Sequence, residues 1–584
     1  MWKKSASVAA TAAVSLGYFG DKFAINSALC REDANQNEDL LERYREQQAE
    51  WEMAMADHRK QQVEWQKSAQ DQKEKQREWD DAMDLYKQQL AAYEATSTLD
   101  VEHTANASPD NFGLRISKFL RDVKLVVGES QVDVDEAELQ ARGKPWNSYH
   151  SCTRIPNVIL TPHTTEQVSG IMKLCHKYDI PVVPIGGGTS LEGQTLATYG
   201  GISLDFNSMK AIVELNEDDL DVTVQAGLGY VELNELLRDK GVWFPLDPGP
   251  GASIGGMCAT RCSGSTAVRY GSMRENVLQL TAVLPDGTIV KTGTRARKSS
   301  AGYDLTRLFI GSEATLAVIT EATLKIHPIP KHSYALRLSF PSVFEASCCA
   351  RDTLKTGLSV GRLEMIDEIM VQDINKANPH LKGGAWKEEV TLLYELTGPS
   401  STSVMEQIDY LKEVASKNKC SGIKVATDKE DVKQIWQIRK ECLWSAMSVC
   451  PDLEPMITDV CVPLTKLPEL IQETRKHTDA SPLHCPMIAH AGDGNFHSLI
   501  MFDPKDLAQK AEAQRLADLM ATNAIKLGGT CTGEHGVGVG KKKHLCNEAG
   551  DGSMKLMYII KDAIDPLGIL NPGKILDSHR RDEE

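Results

Sequence analysis

Positive charge is in short supply in this chain: 65 Lys and Arg stand against 81 Asp and Glu, a formal net charge of -16 over 584 residues. That balance excludes nucleic acid or an acidic membrane surface as a partner over most of the molecule, because neither favours a like charge. It leaves room for a small anionic substrate held by a local cation. Regular cysteine spacing is also missing. The 14 cysteines are scattered, and the chain is far larger than the small secreted domains that depend on disulfides, so they read as free thiols. Cys258 and Cys262 could form half a zinc site, but no second pair follows at zinc-site spacing, and a structural role is expected.

The opening "MWKKSASVAATAAVSLGYFGDKFAINSALCRED" has no acidic residue before Asp21, and its apolar stretch is shorter than the roughly 20 residues of a membrane-spanning helix. Three readings of residues 1–31 stand: an organelle presequence, a secretory signal or a short membrane anchor. Mitochondrial targeting is favoured. Proline and glycine are absent from residues 38–94, where Glu, Gln, Lys, Ala and Met dominate, so a long helix is expected. There "EWEMAMADHRKQQV", "EWQKSAQDQKEKQR" and "EWDDAMDLYKQQLA" set Trp51, Trp65 and Trp79 two heptads apart. A sustained heptad implies a coiled coil or a helix packed on a partner, an oligomerisation or docking arm; a single solvated helix is the competing reading.

From Tyr149 the texture changes to short β-rich runs punctuated by glycine. "PNVILTPHTTEQVSGIMKLCHKYDIPVVPIGGGTSLEGQ" reads as strand, helix, strand and glycine loop, a unit of alternating α/β structure. The loop matches neither the G-x-G-x-x-G fingerprint nor a P-loop, since the P-loop lysine is missing. Its consecutive glycines still let backbone N–H groups converge on phosphate oxygens. A second cluster, "PLDPGPGASIGGMCATRCSGSTAVRYGSMRENVL", offers another such loop, and two of them could wrap an extended pyrophosphate from both sides.

Further on, "HAGDGNFH" ends in His490 and His497, and "GGTCTGEHGVGVGK" sets Glu534 beside His535. Two imidazoles and one carboxylate would leave an open position on a divalent metal, the arrangement of a catalytic site. The seven-residue spacing of the histidines fits neither a helical pair nor a finger motif, and buried hydrogen-bonded histidines are the plain alternative.

Taken with "PIGGGTSLEG", "GSEATLAVITEATLKIHPIP" and the closing "NPGKIL", these stretches resemble the vanillyl-alcohol-oxidase-type flavoproteins. Within that superfamily they are similar to the mitochondrial D-lactate dehydrogenases that reduce cytochrome c. The resemblance runs from about Asn111 to Leu576 and omits the arm. It implies an α+β fold, with a two-subdomain FAD-binding domain over 111–330 and a substrate and metal cap domain over 331–576. It implies that Ile185, Gly186, Gly187, Gly188, Thr189, Ser190, Pro248, Gly249, Ser253, Gly255, Gly256, Ser263 and Ile319 line FAD. Members that bind flavin covalently carry histidine where this chain has Thr189, so the FAD is expected to be non-covalent. Ala314 stands where the family usually has glycine.

The same resemblance implies a metal, zinc or manganese, on His490, His497 and Glu534, with His535 as base and Arg439 as the partner of a substrate carboxylate. Lys440 is the adjacent alternative cation. Asn495 is expected to shape the metal loop and Asp493 to fix its turn. The implied activity is oxidation of D-lactate to pyruvate, with cytochrome c as electron acceptor. D-2-hydroxyglutarate or glycolate is the competing substrate, but "ECLWSAMSVCPDLEPMITDVCVP" and "FHSLI" are short of cations for a second carboxylate, and burying one unpaired is costly.

Overall fold

The computed structural model describes residues 112–145, 147–381 and 384–578. The presequence expected over 1–31 and the arm expected over 38–94 lie outside the described residues. Among the described residues no helix is long and apolar enough to cross a membrane, and every cysteine is free.

The chain's first described helix, Phe112–Val127, buries Ile116, Phe119, Val123 and Val127 at helical spacing. Four short strands follow: β1 (Val132–Asp133), β2 (Val158–Leu160), β3 (Val182–Ile185) and β4 (Ile202–Asp205), in the order β1-β2-β4-β3. The last three run parallel. Between β2 and β3 lies the helix Thr165–Tyr178, capped by the Thr164 side chain on Gln167 N and ended by Asp179 in the left-handed conformation. Strand, helix, strand and glycine loop therefore occur as the residue pattern predicts. The three parallel strands are buried on both faces, which is why they read as unbroken apolar runs.

A second sheet is antiparallel. It orders β5 (Ile212–Asn216), β6 (Asp221–Gln225), β8 (Val277–Val283), β9 (Ile289–Lys291) and β10 (Val318–Lys325) as β5-β6-β10-β8-β9, while β7 (Val242–Trp243) pairs with β11 (His327–Pro328). Its core holds Val222, Val224, Leu280 and Ala322, with Ile254, Met257 and Cys258 of the helix Ile254–Thr260 packed on it. Cys258 and Cys262 are both buried here, in keeping with a structural role.

The remaining strands form one antiparallel sheet. β12 (His332–Phe340), β13 (Val360–Ile366), β14 (Val390–Gly398), β15 (Gly422–Ala426), β16 (Glu454–Ile457), β18 (Met487–His490) and β19 (Asn495–Phe502) run in the order β15-β12-β14-β13-β18-β19-β16, and β17 (Val460–Cys461) pairs off β19. Leu336, Leu338 and Phe340 point to one core, whereas Ala335, Ile366 and Leu393 point to another that includes Trp436 of the helix Lys429–Lys440. Strand alternation thus sends alternate residues of β13 toward that helix. This positions the functional site.

Candidate active site

β-Strand pairing brings the two loop histidines together. β18 and β19 form a hairpin in which Ile488 faces His497 and His490 faces Asn495. His490 and His497 are therefore diagonal neighbours on one face, with ring centroids 5.4 Å apart. The seven-residue spacing is that of a hairpin with a four-residue turn, a reading that neither helical nor finger spacing offered. Gly494 closes the turn at φ 80°, where a Cβ would stand 2.1 Å from the Val462 carbonyl oxygen. In that turn Asp493 N donates to the His490 carbonyl.

On the other side of β18, Met365 of β13 faces Ala489 and Ile366 faces Ile488. Extending that register sets Glu364 beside His490. Glu364 accepts from His490 Nδ1 at 2.8 Å and pairs through its other oxygen with Arg439 Nη2 at 2.6 Å. Its signal was invisible in the sequence, because it lies 126 residues from His490 and only the register reveals the pair. His497 donates from Nδ1 to the Thr458 carbonyl at 3.0 Å. Both imidazoles are thus oriented by a partner on Nδ1, which directs Nε2 at the same point.

Glu534 Oε1 stands at that point, 3.1 Å from His490 Nε2 and 3.4 Å from His497 Nε2. Its Oε2 accepts from Ser263 Oγ at 2.5 Å. One nitrogen or oxygen from each of the three residues lies within 4.8 Å of the others, so the donor set fits a divalent ion with positions left open. Burial disfavours the charge on Glu534, but His490 and His497 overturn it and hold the carboxyl well below its usual range. Burial likewise opposes protonation of His490, and Glu364 and Glu534 outweigh it and hold the imidazole well above its usual value. A divalent ion would take the place of the proton on Nε2.

His535 stacks on His497, with centroids 4.9 Å apart and planes 12° off parallel. Its backbone is pinned from both sides, N–H to Asp459 at 2.9 Å and carbonyl from Gln194 Nε2 at 2.7 Å. The ring Nδ1 is buried without a hydrogen-bond partner. Burial, opposed by Asp459, lowers the imidazole to about 4, so the ring is unprotonated at physiological pH.

These side chains close one end of a cavity of ≈ 440 Å³. Gly186, Gly187, Gly188, Thr189, Ser190, Pro248, Gly249, Ser253 and Gly256 line it, as do Arg439, Lys440, His490, His497, Glu534 and His535. The two glycine loops meet here: a Cβ on Gly187 would stand 1.9 Å from the Gly251 carbonyl oxygen. Ser253 caps the helix Ile254–Thr260 and also accepts from Gly187 N. Glycines without a Cβ and the start of a helix give this wall the close backbone approach that a pyrophosphate needs. Ile185, Gly255 and Ile319 are buried in strands and helix behind that wall, and Ser263 is placed on Glu534 rather than among the lining residues. Ala314 lines the cavity at φ 57°, a left-handed backbone that glycine adopts more readily.

Glycine loops over a cavity walled by two imidazoles and a carboxylate define a flavin-linked oxidoreductase. Two family descriptions match accordingly: "FAD binding domain" over residues 156–293 and "FAD linked oxidases, C-terminal domain" over 329–575. The chain is 50% identical over 451 residues to the mitochondrial D-lactate dehydrogenase (cytochrome) of Arabidopsis thaliana, covering 77% of this chain and 79% of that protein. It is 43% identical over 473 residues to D-lactate dehydrogenase (cytochrome) 1 of Saccharomyces cerevisiae, covering 79% and 80%. The chain belongs to this family of cytochrome-linked D-lactate dehydrogenases, FAD-dependent oxidoreductases. The fold is that of the vanillyl-alcohol-oxidase type: 4-ethylphenol oxidase from Gulosibacter chungangensis superposes with a TM-score of 0.65 at 17% identity, over 82% of this chain and all of that one.

Proposed function

We propose that this enzyme oxidises D-lactate to pyruvate with non-covalent FAD, passes the electrons to cytochrome c, and resides in mitochondria behind a presequence within residues 1–31. The observation that carries the chemistry is the convergence of His490, His497, Glu534, His535 and Arg439 on one wall of the glycine-lined cavity. Bound there, FAD supplies an acceptor for the hydride leaving C2, and a divalent ion, zinc or manganese, supplies a Lewis acid for the 2-hydroxyl.

The chain's own residues do the rest. Arg439, half-buried with a buried and unpartnered Nε, offers the substrate carboxylate a charged donor. His535 takes the hydroxyl proton on its neutral imidazole. Gln194 and Asp459 hold its backbone, and its ring stacks on His497. Leu443, Ile457, Ile488 and Leu499 make the nearby wall apolar, which suits a methyl group. The other cations on the wall, Arg362 and Lys440, each pair with Asp247. A second substrate carboxylate would have to break those pairs, which favours D-lactate over D-2-hydroxyglutarate.

The test is the visible spectrum of metal-replete protein under anaerobic conditions. D-lactate is expected to bleach the flavin band, and L-lactate and D-2-hydroxyglutarate to leave it. His535→Ala is expected to keep its FAD and lose the bleaching. An unbleached wild-type flavin would overturn the substrate, and flavin that stays with acid-precipitated protein would overturn non-covalent binding.

A further inference from the structure

The loop that carries Glu534 and His535 has no regular structure of its own, yet four of its backbone amides end on two buried carboxylates. Asp459, between β16 and β17 and 1% exposed, accepts through Oδ2 from the backbone N–H of Glu534 at 2.9 Å, that of His535 at 2.9 Å and Thr532 Oγ1 at 2.8 Å. Its Oδ1 accepts from Asn495 Nδ2 at 2.7 Å. The residue before it, Thr458, orients His497, and the residue after it, Val460, accepts from Asn495 Nδ2. From the flavin side Glu313 accepts the next amides, those of Val537 at 2.6 Å and Gly538 at 2.8 Å.

Three consecutive residues, 458–460, therefore reach both sides of the candidate metal site: the strand that carries His497 and the loop that carries Glu534. Resting on the reading that His490, His497 and Glu534 hold a divalent ion, we propose that Asp459 is the positioning residue of the site. Its carboxylate gathers the amides of Glu534 and His535 and sets where the metal ligand and the base stand relative to His497. A carboxylate oxygen of Asp459 also lies within 4.8 Å of ring nitrogens of His497 and His535, a grouping separate from His490, His497 and Glu534, and hydrogen bonds occupy both of its oxygens. Partners that orient metal ligands without touching the metal influence affinity strongly.

Asp459→Asn keeps the shape and removes the symmetric acceptor, since an amide presents an NH2 group to donors that need a lone pair. The experiment purifies full-length wild type, Asp459→Asn and the milder Thr532→Val with FAD bound. Zn2+ affinity is measured by competition with a chromogenic chelator, and kcat and KM for D-lactate alongside. Asp373→Asn is the control, a carboxylate equally buried and paired with His484 at 2.7 Å away from the cavity.

Asp459→Asn is expected to retain FAD, to weaken Zn2+ binding by roughly 10- to 100-fold, and to lower kcat more than it raises KM. The control should lower Tm without changing Zn2+ affinity. If Asp459→Asn fails to fold, Thr532→Val carries the test, with a smaller loss in the same direction. Zn2+ affinity and kcat within twofold of wild type in a flavin-loaded variant would overturn the proposal. Wild-type protein that binds neither Zn2+ nor Mn2+ would sink the metal reading instead. The proposal would then stand or fall on whether kcat falls with KM held.

Discussion

Arg439 answers to two demands that a single side chain satisfies only because it is long and forked. It neutralises Glu364, which in turn orients His490, and it faces the cavity where a substrate carboxylate would sit. A charge-assisted hydrogen bond contributes about 1.5–3 kcal/mol, so Arg439→Met is expected to raise KM for D-lactate roughly 10- to 100-fold. Steady-state kinetics check this, with Glu364→Gln run beside it to separate carboxylate binding from the loss of a partner for Glu364. A KM within twofold of wild type would remove Arg439 from substrate binding. At this scale the histidines, Glu534, His535 and Arg439 could be read from motifs because each is a chemically distinctive residue in a glycine-rich loop or beside a matched stretch. Glu364, Asp459 and Asp247 could not: a lone carboxylate in a strand or short connection has no local signature until its neighbours are known.

At the scale of elements, the glycine loop after β3 and the caps of the helices decide what the fold tolerates. Gly187 abuts the Gly251 carbonyl so closely that Gly187→Ala must push one flavin loop off the other. Overpacking of this kind costs about 1–3 kcal/mol, and the expected result is a protein with a reduced flavin-to-protein absorbance ratio; full FAD occupancy would contradict the loop-on-loop contact. The helix Glu368–Ala377 offers a pH test at a carboxylate that is not one of the metal ligands. Its cap, Asp367, accepts from Met370 N at 2.7 Å. Burial raises this carboxyl to about 7 from a reference of 3.8, against the pull of Arg475. A carboxyl raised on folding holds its proton more tightly in the folded state. Its contribution is therefore full below about pH 4 and is lost as pH rises through about 7. Asp367→Asn is expected to flatten the fall in Tm between about pH 4 and pH 7, and equal slopes in wild type and variant would refute it.

Over the whole molecule, the heptad arm and the catalytic body are separable expectations. A protein that starts near Ser108 is expected to keep its FAD and its reduction by D-lactate, and to change its oligomeric state or its localisation. Light scattering and organelle fractionation test this, and no change in either would refute the arm as an assembly or docking element. Alternating strand and helix runs and the two glycine loops could be read from the residues themselves, because backbone needs leave marks in local residue choice: glycine where chains touch, apolar residues where both faces are covered; the flavin fold followed from the resemblance of the ordered motifs to a known family. The residue types of the metal loops were suggestive in the same way, and their proposed roles came from the resemblance. Tertiary structure alone decided the rest. The seven-residue spacing of His490 and His497 became a site only when β18 and β19 paired in a register that put both rings on one face. Glu364 and Asp459 joined it only when β13 lay beside β18 and the 458–460 segment met the 530–538 loop. Long-range pairing is set by the summed packing of whole sheets, and no short stretch of residues carries that information.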